Sequence, residues 1–492
     1  PKWLMPIKGH APFVAMEAGE GRNSALYAYI VTLQRNGYGV EECRECIRLI
    51  NKFVLDEPLD EDELDVILRD EAFNLPVFYD GKTFLFDEFA KFLRSNEHII
   101  KINNQLHIYR DGIYVSGYSE IETVMVQHIP NLKKTSRREV LDYLELIVSN
   151  NTSAADARYI AFANGLYDLA TDTMRDFTPD IVVTNRINYH YVPDAYNELC
   201  DKTLNKLACG DKAIRSLLEE CVGYCLYRRN ELGKAFILTG EKANGKSTFL
   251  DMIKTLLGDD NISSLDIKEL GDRFSTSMMF GKLANIGDDI GDDFLQGNQV
   301  AVFKKIVTGN RVKAERKGQD PFEFNPYVKL LFSANDLPRM KDKTGAVIRR
   351  LVILPFNAKF TKDDPEYDPF IKYRLCEAES IEYLITLGLA GLRRVLEANS
   401  FTTSEAVERE VKEYEVENNP ILLFIDNVSI DEIINEKTSD VYRRYSVFCA
   451  ENNLNAMAHT IFSRQLNKRL GLTTKEIRDS QNKKCRIFVE EQ

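Results

Sequence analysis

The sequence predicts a multidomain α/β protein with a central βαβ core, helical and α/β domains before that core, and a winged helix after it. Three observations predict this fold class. The chain has 492 residues, which is too long for one ordinary hydrophobic core. Apolar strand patterns alternate with helical patterns through the middle of the chain. A basic helix and a basic hairpin stand near the end of a chain whose net charge is −12.

The composition is that of a globular protein, because 44% of the residues are hydrophobic and 28% are charged. The negative net charge argues against a uniformly basic nucleic-acid binder but allows a local basic patch. Nine scattered cysteines, an odd number, indicate a reducing compartment rather than a disulfide framework. Cys43 and Cys46 have the spacing of half a zinc site, but no second pair completes it, so we expect them to pack within a helix.

Membrane insertion is not expected. No apolar stretch approaches the ~20 residues that span a bilayer, and the first residues do not have the pattern of a signal peptide. The chain begins without methionine, which is consistent with a fragment of a longer polyprotein or fusion.

Five domains are predicted along the chain from changes in periodicity and from turn signals. Helical spacing and a stop at Gly37 mark the first, and Asp-Gly and Thr-Asp turns between alternating strands mark the second. The predicted domains are a helical module (1–75), an α/β domain (76–203), the core (204–362), a helical connector ending at Pro420 (363–420) and a winged-helix-like domain (421–492).

The strongest pattern is AFILTGEKANGKSTFLDMIKTLLG, which combines a buried strand, a GxxxxGK[ST] loop and a helix with one apolar face. This is the context that an ATP-binding P-loop requires. Backbone N–H groups and the helix N-terminus would hold phosphate oxygens, Lys246 would reach the β- and γ-phosphates, and Ser247 would ligate Mg²⁺. The predicted ATP-binding residues are Gly240, Glu241, Lys242, Ala243, Asn244, Gly245, Lys246, Ser247 and Thr248.

A second strand, over 283–287, is followed by Asp288 and Asp289. Alone, an acidic pair after a strand is more often a solvated turn, but the P-loop needs a carboxylate near the metal, at the edge of the sheet where ligands gather. We predict that Asp288 holds the Mg²⁺ shell and that Asp289 orients or deprotonates the attacking water. Asp292 and Asp293, one turn later, are expected to cap the next helix or to face solvent.

Three further residues complete the predicted catalytic set. Asn335 ends a third strand pattern, where an amide could hydrogen-bond the γ-phosphate and the attacking water. Arg349 and Arg350 stand at the start of a fourth strand. Two such arginines are usually a surface pair, but in a ring ATPase one of them could reach the γ-phosphate that a neighbour binds.

The order of these motifs resembles one family. GEKANGKST, IGDD, FKKIVTGNRVKAERKGQDPFEF, SANDLP and RRLVILPF follow one another as in the superfamily 3 helicases, which are AAA+ ring motors of small viruses, phages and plasmids. Within them the chain most resembles the phage and plasmid primase-helicase branch related to the poxvirus primase-helicase. FANGLYDLATDTMRDFTPD and GRNSALYAYIVTLQRNG are similar to domains that precede the motor in that branch. One departure is Asp289, where many relatives carry the longer glutamate.

The resemblance implies an AAA+ core that uses ATP and Mg²⁺, a ring of identical copies, expected to be a hexamer, and single-stranded and forked DNA as the substrate. It also implies a bacterial host cytoplasm as the location, with a primase, polymerase or initiator as candidate partners. Two strand patterns meet at a turn that brings Lys313, Arg316 and Lys317 near a hairpin tip. Such a tip could simply be solvated, but the matching hairpin of superfamily 3 rings contacts the DNA backbone in the central channel.

The last domain carries the second candidate DNA interface. The segment from residue 453 to residue 488 contains eight lysines or arginines but only two acidic residues. The helix IFSRQLNKRLG and the hairpin TTKEIRDSQNKKCRIFV have the pattern of a recognition helix and a wing, although a winged helix can equally bind proteins. The predicted DNA-binding residues of this domain are Arg464, Lys468, Lys483, Lys484 and Arg486.

The sequence therefore predicts an ATP-dependent replicative DNA helicase of a phage, plasmid or mobile element. One alternative is a DNA-tethered AAA+ ATPase that loads or remodels replication partners without unwinding. Another is the helicase part of a bifunctional primase-helicase. Residues 1–200 carry no convincing acidic polymerase triad or zinc motif, so priming would belong to an upstream segment or a separate protein.

Overall fold

A computed structural model of the protein describes residues 21–73, 77–80, 82–149, 151–290, 298–318, 320–335, 347–361, 367–452, 454, 456–478 and 482–490. For residues 288–290, 410 and 413–418 it describes the backbone alone. The chain forms two compact units. The first comprises residues up to 156 together with 176–184, and the second comprises 157–175 and the chain from 185 onward.

The first unit begins with a helical module that closes over its own apolar core. Its elements are α1 (Arg22–Arg35), α2 (Val40–Phe53), α3 (Glu61–Ile67) and a 3₁₀ turn (Asp70–Phe73). Leu26, Ile30 and Leu33 are buried at the helical spacing that the sequence predicts. Cys43 is fully buried in α2, which confirms its packing role. Within the described ranges no three His, Cys, Asp or Glu side chains group as metal ligands.

The rest of the first unit is a small α/β fold around a second core. Its elements are β1 (Tyr79–Asp80), β2 (Thr83–Phe84), α4 (Phe86–Asn96), β3 (Ile100–Ile102), β4 (Gln105–Arg110), β5 (Ile113–Ser116), α5 (Tyr118–His128) and α6 (Lys134–Ile147). The predicted hairpins are confirmed, since β1 pairs with β2 and β4 pairs with β5, both antiparallel. Asp111 and Gly112 connect β4 to β5 with φ values of 46° and 89°, which match the twist of a tight hairpin.

The second unit contains an antiparallel sheet and the central core. Its elements up to the end of the core are β6 (Tyr159–Phe162), β7 (Gly165–Asp168), β8 (Thr173–Arg175), α7 (Glu198–Leu207), α8 (Lys212–Leu226), β9 (Ala235–Thr239), α9 (Lys246–Leu257), β10 (Ile262–Ser263), α10 (Ser275–Met278), β11 (Ala284–Ile290), α11 (Asn298–Val307), β12 (Val312–Ala314), β13 (Phe322–Phe324), β14 (Lys329–Ala334) and β15 (Leu351–Pro355). Short 3₁₀ turns lie at Asp259–Asn261, Ile267–Gly271 and Ile348–Arg350.

Five strands form one parallel sheet in the order β10, β11, β14, β9, β15. Both faces of this sheet are covered, because alternate residues of β9 lie in two different apolar cores. Phe236 and Leu238 belong to one core, and Ala235 and Ile237 belong to the other. Burial on both faces is usual for parallel strands, and it explains why β9 is apolar along its length.

The remaining elements of the second unit are mostly helical. They are α12 (Ile371–Arg374), α13 (Ala378–Ala398), α14 (Glu405–Asn418), α15 (Pro420–Asp426), a 3₁₀ turn (Ile430–Glu432), α16 (Thr438–Glu451), α17 (His459–Leu470), β16 (Leu472–Arg478) and β17 (Lys484–Glu490). Gly223 of α8 and Gly388 of α13 let these two helices approach closely, since a Cβ on Gly223 would lie 1.9 Å from the Gly388 carbonyl oxygen. Elements α15 to β17 share a separate apolar core. In the part of the chain that the structure describes, no helix has the length and hydropathy of a membrane span.

Candidate functional site

The glycine-rich loop connects β9, which is fully buried, to α9. Gly245 precedes the helix in a left-handed conformation, with a φ of 91°. A Cβ on Gly240 would lie 2.1 Å from Nδ2 of Asn244 and 2.3 Å from the carbonyl oxygen of Phe356. The tight closure of the loop therefore requires glycine at position 240.

Lys246 points into this loop and is only 7% exposed. Its ammonium donates hydrogen bonds to the carbonyl oxygen of Gly240, to that of Glu241 at 3.0 Å and to Oδ1 of Asn244 at 3.3 Å. Asn244 in turn donates to the carbonyl oxygen of Phe356 at 2.6 Å. The loop thus holds a positive charge beside the N-terminus of α9, where backbone N–H groups attract phosphate.

The other loop residues leave the mouth of the loop accessible. Ser247 is exposed in the first turn of α9, a position from which a hydroxyl can reach a metal ion beside bound phosphates. Glu241, Lys242 and Ala243 are exposed, and Thr248 is half-buried. A tight glycine cradle, an inward lysine and an accessible hydroxyl fit a nucleotide phosphate with Mg²⁺.

Three parallel strands reach the edge of the sheet that carries the loop. Thr239 of β9 is in register with Ala334 of β14, and Ala334 is in register with Ile290 of β11. Adjacent strands lie about 4.8 Å apart, so the backbone of β11 at this level is roughly 10 Å from the start of the loop. Asn335 follows Ala334 directly and is exposed. The predicted sensor amide and the loop therefore share one edge.

Asp288 and Asp289 lie within β11 rather than after it, because the strand continues to Ile290. The predicted end of this strand at residue 287 was therefore wrong. The side chains of Asp288 and Asp289 lie outside the described part of the structure, and so do Asp292 and Asp293 entirely.

The register of β11 changes at the acidic pair. Gly287 is in register with Phe332 and Ile290 with Ala334, so two residues of β11 oppose Ser333 of β14. This is the geometry of a β-bulge, which alters strand direction locally and is common next to active sites. The sequence does not predict the bulge, because a shift of pairing leaves no mark on the apolar pattern of a short strand.

Arg349 and Arg350 form the last part of a 3₁₀ turn immediately before β15. The first residue of β15, Leu351, is in register with Ala235, the first residue of β9. The arginines therefore lie at the opposite edge of the sheet from the P-loop. A strand of five residues separates the two edges, a distance of roughly 16 Å.

Lys234, the residue before β9, hydrogen-bonds the 3₁₀ turn that contains the two arginines. Its ammonium donates a hydrogen bond to the carbonyl oxygen of Arg349 at 2.6 Å. Burial lowers the pKa of Lys234, and the positive charge of Arg350 lowers it further. The residue before β9 thus holds the backbone of the arginine turn, while the other end of β9 carries the P-loop.

The predicted hairpin is confirmed as β12 paired with β13, antiparallel. Lys313 is exposed and forms an ion pair with Glu315 at 3.0 Å, and Arg273 bonds the same carboxylate at 2.7 Å. Hydrogen bonds from these two partners lower the pKa of Glu315, and the bond from Arg273 has the larger effect. The carboxylate compensates part of the positive charge on this side of the hairpin.

The two remaining basic residues near the hairpin tip have different surroundings. The guanidinium of Arg316 lies over the rings of Phe280 and Phe322, 5.7 and 5.1 Å from their centroids. Lys317 is exposed next to Gly318, whose φ of 76° makes the turn. Lys317 is therefore the most accessible of the three predicted hairpin cations, while Arg316 also supports the shape of the hairpin.

A neighbouring segment adds exposed apolar groups that the sequence reasoning missed. Phe274, which directly precedes α10, is 45% exposed, and Met278, the last residue of α10, is 56% exposed. Thr276 fixes α10 to the hairpin, since its hydroxyl donates to the carbonyl oxygen of Lys313 at 3.0 Å. Nothing in the pattern DRFSTSMMF distinguishes these residues from core residues, so only the fold reveals them.

The C-terminal basic residues lie on the outside of their own small core. Phe462 and Leu466 of α17 are buried, whereas Arg464 and Lys468 are exposed one turn apart on another face. The β16–β17 hairpin that follows carries the other predicted cations, Lys483, Lys484 and Arg486, all exposed. Lys484 also pairs with Glu476 at 2.8 Å.

Three protein families match successive parts of the chain. Residues 59–209 match a family described as D5 N terminal like, residues 238–350 match a family of unknown function, DUF5906, and residues 416–490 match a family described as poxvirus D5 protein-like. The second match contains the P-loop, the acidic pair and the two arginines. The third contains the C-terminal basic residues.

Viral proteins are also similar to this chain. One, L207/L206 of Acanthamoeba polyphaga mimivirus, is named as a candidate helicase and is 30% identical over 214 residues, covering 41% of this chain and 22% of that protein. Another candidate helicase, 184R of Invertebrate iridescent virus 6, is 27% identical over 227 residues, covering 43% of this chain and 23% of that protein. The matched region thus spans less than a quarter of either relative.

A solved apo structure of the NrS-1 C-terminal region aligns with 82% of this chain and 98% of its own, at 14% identity and a TM-score of 0.48. The two D5-related family matches and the viral relatives together support a member of the primase-helicase family.

Proposed function

We propose that the protein is an ATP- and Mg²⁺-dependent DNA helicase of the superfamily 3 AAA+ type. The observation that carries this proposal is the register at the edge of the parallel sheet. The P-loop after Thr239, the amide of Asn335 and the backbone of the acidic pair in β11 all reach that one edge. A phosphate cradle, an acidic strand and a polar strand end are the parts that P-loop hydrolysis requires.

Each residue at this edge has a proposed role in hydrolysis. Lys246 would neutralise charge on the β- and γ-phosphates, and Asn335 would hydrogen-bond the γ-phosphate and the attacking water. Ser247 and Asp288 would hold Mg²⁺, which supplies charge neutralisation at the transferring phosphoryl group. Asp289 would orient the water or accept its proton.

The position of the arginines favours an assembly in which copies cooperate. Arg349 and Arg350 stand one strand length, roughly 16 Å, from the P-loop edge of their own sheet. An arginine at that distance could complete the nucleotide site of a neighbouring copy but not its own. We therefore propose a ring, with a hexamer as the expected form.

DNA contact is proposed at two surfaces. In the ring channel, Lys317 and Lys313 would contact phosphates, and the exposed ring of Phe274 beside them would stack on bases. In the C-terminal domain, helices followed by a hairpin support a winged helix, with Arg464 and Lys468 on its recognition helix. Lys483, Lys484 and Arg486 would form its basic wing.

Strand displacement tests the function. A duplex with a single-stranded tail would be incubated with the protein and Mg²⁺, with ATP, with ADP or without nucleotide. We expect the strands to separate only with ATP. Hydrolysis of ATP and binding of DNA without displacement would instead indicate an ATPase that loads or remodels replication partners. Dinucleotide synthesis from nucleoside triphosphates would indicate a bifunctional primase-helicase.

A further inference from the structure

The two ends of the β12–β13 hairpin both contact a buried side chain of the second unit. Asn230 lies in the loop between α8 and β9 and is 8% exposed. Its side-chain amide donates hydrogen bonds to the carbonyl oxygens of Ile306 at 2.9 Å, of Val328 at 3.2 Å and of Pro326 at 3.4 Å. Ile306 lies in the last turn of α11, before the hairpin, and the other two residues lie between the hairpin and β14. The amide of Asn230 therefore holds the chain on both sides of the hairpin.

The surroundings of Asn230 fix which atom of its amide faces the hairpin. The three carbonyl oxygens are acceptors, so the amide nitrogen must point toward them, because the reverse orientation would oppose oxygen to oxygen. Within the described part of the chain, the buried amide oxygen of Asn230 accepts no hydrogen bond. A buried acceptor without a donor is unfavourable for folding. The side chain is thus arranged for its donor contacts with the hairpin ends, at the expense of its own oxygen.

The two ends of the hairpin are also joined to each other. The side-chain amide of Asn325 donates to the carbonyl oxygen of Gly309 at 3.0 Å, and Arg311 forms an ion pair with Glu323 at 3.0 Å. A Cβ on Gly309, whose φ is 67°, would lie 3.4 Å from Cβ of Asn230. Glycine therefore suits both the turn and the close approach at this position. The base of the hairpin is closed by its own contacts and packs directly on Asn230.

Asn230 is also close to the beginning of two strands of the parallel sheet. β9 begins five residues after Asn230 and ends at the P-loop, whereas β14 begins directly after Val328 and ends next to Asn335. The two strands are adjacent and parallel. The hydrogen bond from Asn230 to Val328 therefore joins the chain that enters one strand to the chain that enters the other. Both strands lead to the proposed nucleotide site.

We propose that Asn230 is a positioning residue that couples the hairpin to the nucleotide edge of the sheet. The inference rests on the proposed function, because it takes the hairpin as a DNA contact and that edge as an ATP site. The amide of Asn230 holds the base of the hairpin in one place on the sheet. A force on the tip of the hairpin, at Lys317, then acts on the start of β14 instead of tilting the hairpin alone.

The test compares the full-length wild-type chain with three variants. Asn230→Ala removes the donor, and Asn230→Asp keeps the shape of the side chain but places a carboxylate against the three carbonyl oxygens. Asn51→Ala is the matched control, because Asn51 is a buried asparagine of the first unit whose amide donates to the carbonyl oxygen of Leu59 at 3.1 Å. Hydrogen–deuterium exchange of peptides from the hairpin measures how firmly its base is held. ATP hydrolysis is measured with and without single-stranded DNA.

We expect backbone exchange in the hairpin to become at least about 10-fold faster in both Asn230 variants and to stay at the wild-type rate in Asn51→Ala. The ratio of the hydrolysis rates with and without DNA should fall roughly 10-fold in the Asn230 variants, because the hairpin is no longer held in its working position. A general loss of stability would instead speed exchange throughout the second unit. Faster exchange that is confined to the hairpin therefore separates positioning from folding.

Three results would count against this role. Wild-type exchange of the hairpin in both Asn230 variants would overturn the inference, and so would faster exchange together with a wild-type ratio of the two hydrolysis rates. A wild type whose hydrolysis of ATP does not respond to DNA would refute the coupling, whatever the exchange shows. A wild type that hydrolyses no ATP at all would refute the proposed function itself.

Discussion

Asn244 donates a hydrogen bond from its side-chain amide to the carbonyl oxygen of Phe356 at 2.6 Å, and this bond fastens the P-loop to the end of β15. Its amide oxygen also accepts a hydrogen bond from Lys246. One buried side chain therefore fixes both the path of the loop and the position of its lysine.

Replacing Asn244 with alanine should weaken nucleotide binding. The substitution leaves the carbonyl of Phe356 without this donor and frees Lys246 from one of its acceptors, and an unsatisfied buried group costs about 1–3 kcal/mol. We expect the Kd for ATP to rise by roughly 10-fold, as measured by isothermal titration calorimetry. Lys242→Ala is the control: it removes an exposed side chain of the same loop but keeps the backbone N–H through which Lys242 would contact phosphate, so this variant should bind ATP normally. An unchanged Kd for Asn244→Ala would show that the loop holds its shape without this bond.

Lys234→Met should slow hydrolysis without weakening ATP binding. The ammonium of Lys234 holds the carbonyl of Arg349, so its loss lets the arginine turn move, and a shift of about 1 Å at a catalytic group can cost 10²-fold in rate. We expect kcat for ATP hydrolysis to fall between about 10- and 100-fold. Lys234→Arg keeps a donor and should retain more activity than Lys234→Met. If both variants hydrolyse ATP at the wild-type rate, Lys234 does not position the arginines.

The buried ammonium of Lys329 should make the stability of the protein depend on pH. Burial lowers the pKa of this lysine to about 7 in the folded protein, well below its usual value of 10.5. Between these two pH values the unfolded chain binds a proton that the folded chain has released, so this group makes folding more favourable as the pH rises. The effect levels off above pH 10.5, where both states are neutral, and below about pH 7, where both states are charged.

Thermal unfolding of the wild type and of Lys329→Met measures this effect. Methionine does not titrate, so the difference in Tm between the two proteins isolates the contribution of the lysine. We expect the stability of the wild type relative to the variant to rise from about pH 7 to about pH 10. A difference that stays constant would mean that Lys329 remains charged in the fold, held by the carbonyl oxygens of Tyr227 and Tyr327 that it contacts.

Two neighbouring hairpin residues should give different results when they are replaced by alanine. Lys317 is exposed, so Lys317→Ala should lower the affinity for single-stranded DNA roughly 5- to 10-fold at 0.1 M salt. The slope of the logarithm of the binding constant against the logarithm of the salt concentration should become shallower by about one, because one phosphate contact is lost. Arg316→Ala should also lower Tm, because its guanidinium packs on Phe280 and Phe322. Fluorescence anisotropy and thermal unfolding separate the two effects. Equal binding by Lys317→Ala and the wild type would argue against the hairpin as a DNA contact.

The sequence was a good guide to features that are local along the chain. The strand before the P-loop, the helix after it and the hairpins of the first unit follow from apolar periodicity and turn residues. The two arginines also lie where the pattern predicts, directly before β15. Each of these features is specified by residues that are close together in the sequence.

Other features depend on residues that are distant in the sequence, and no local pattern predicts them. The bond from Asn244 to Phe356 joins positions 112 residues apart. The bulge at the acidic pair depends on how β11 is paired with β14, and the burial of Lys329 depends on packing around the start of that strand. The exposure of Phe274 likewise follows from its place beside the hairpin rather than from its neighbours in the chain.

The proposed function depends most on hydrolysis of ATP at the P-loop, and Lys246→Ala tests that hydrolysis most directly. The measurement is the rate of ATP hydrolysis with Mg²⁺ and single-stranded DNA, for the wild type, for Lys246→Ala and for the exposed loop lysine variant Lys242→Ala. We predict a fall of about 10²-fold or more in kcat/KM for Lys246→Ala and a rate near that of the wild type for Lys242→Ala. Full activity of Lys246→Ala, in a protein that folds normally, would contradict the account.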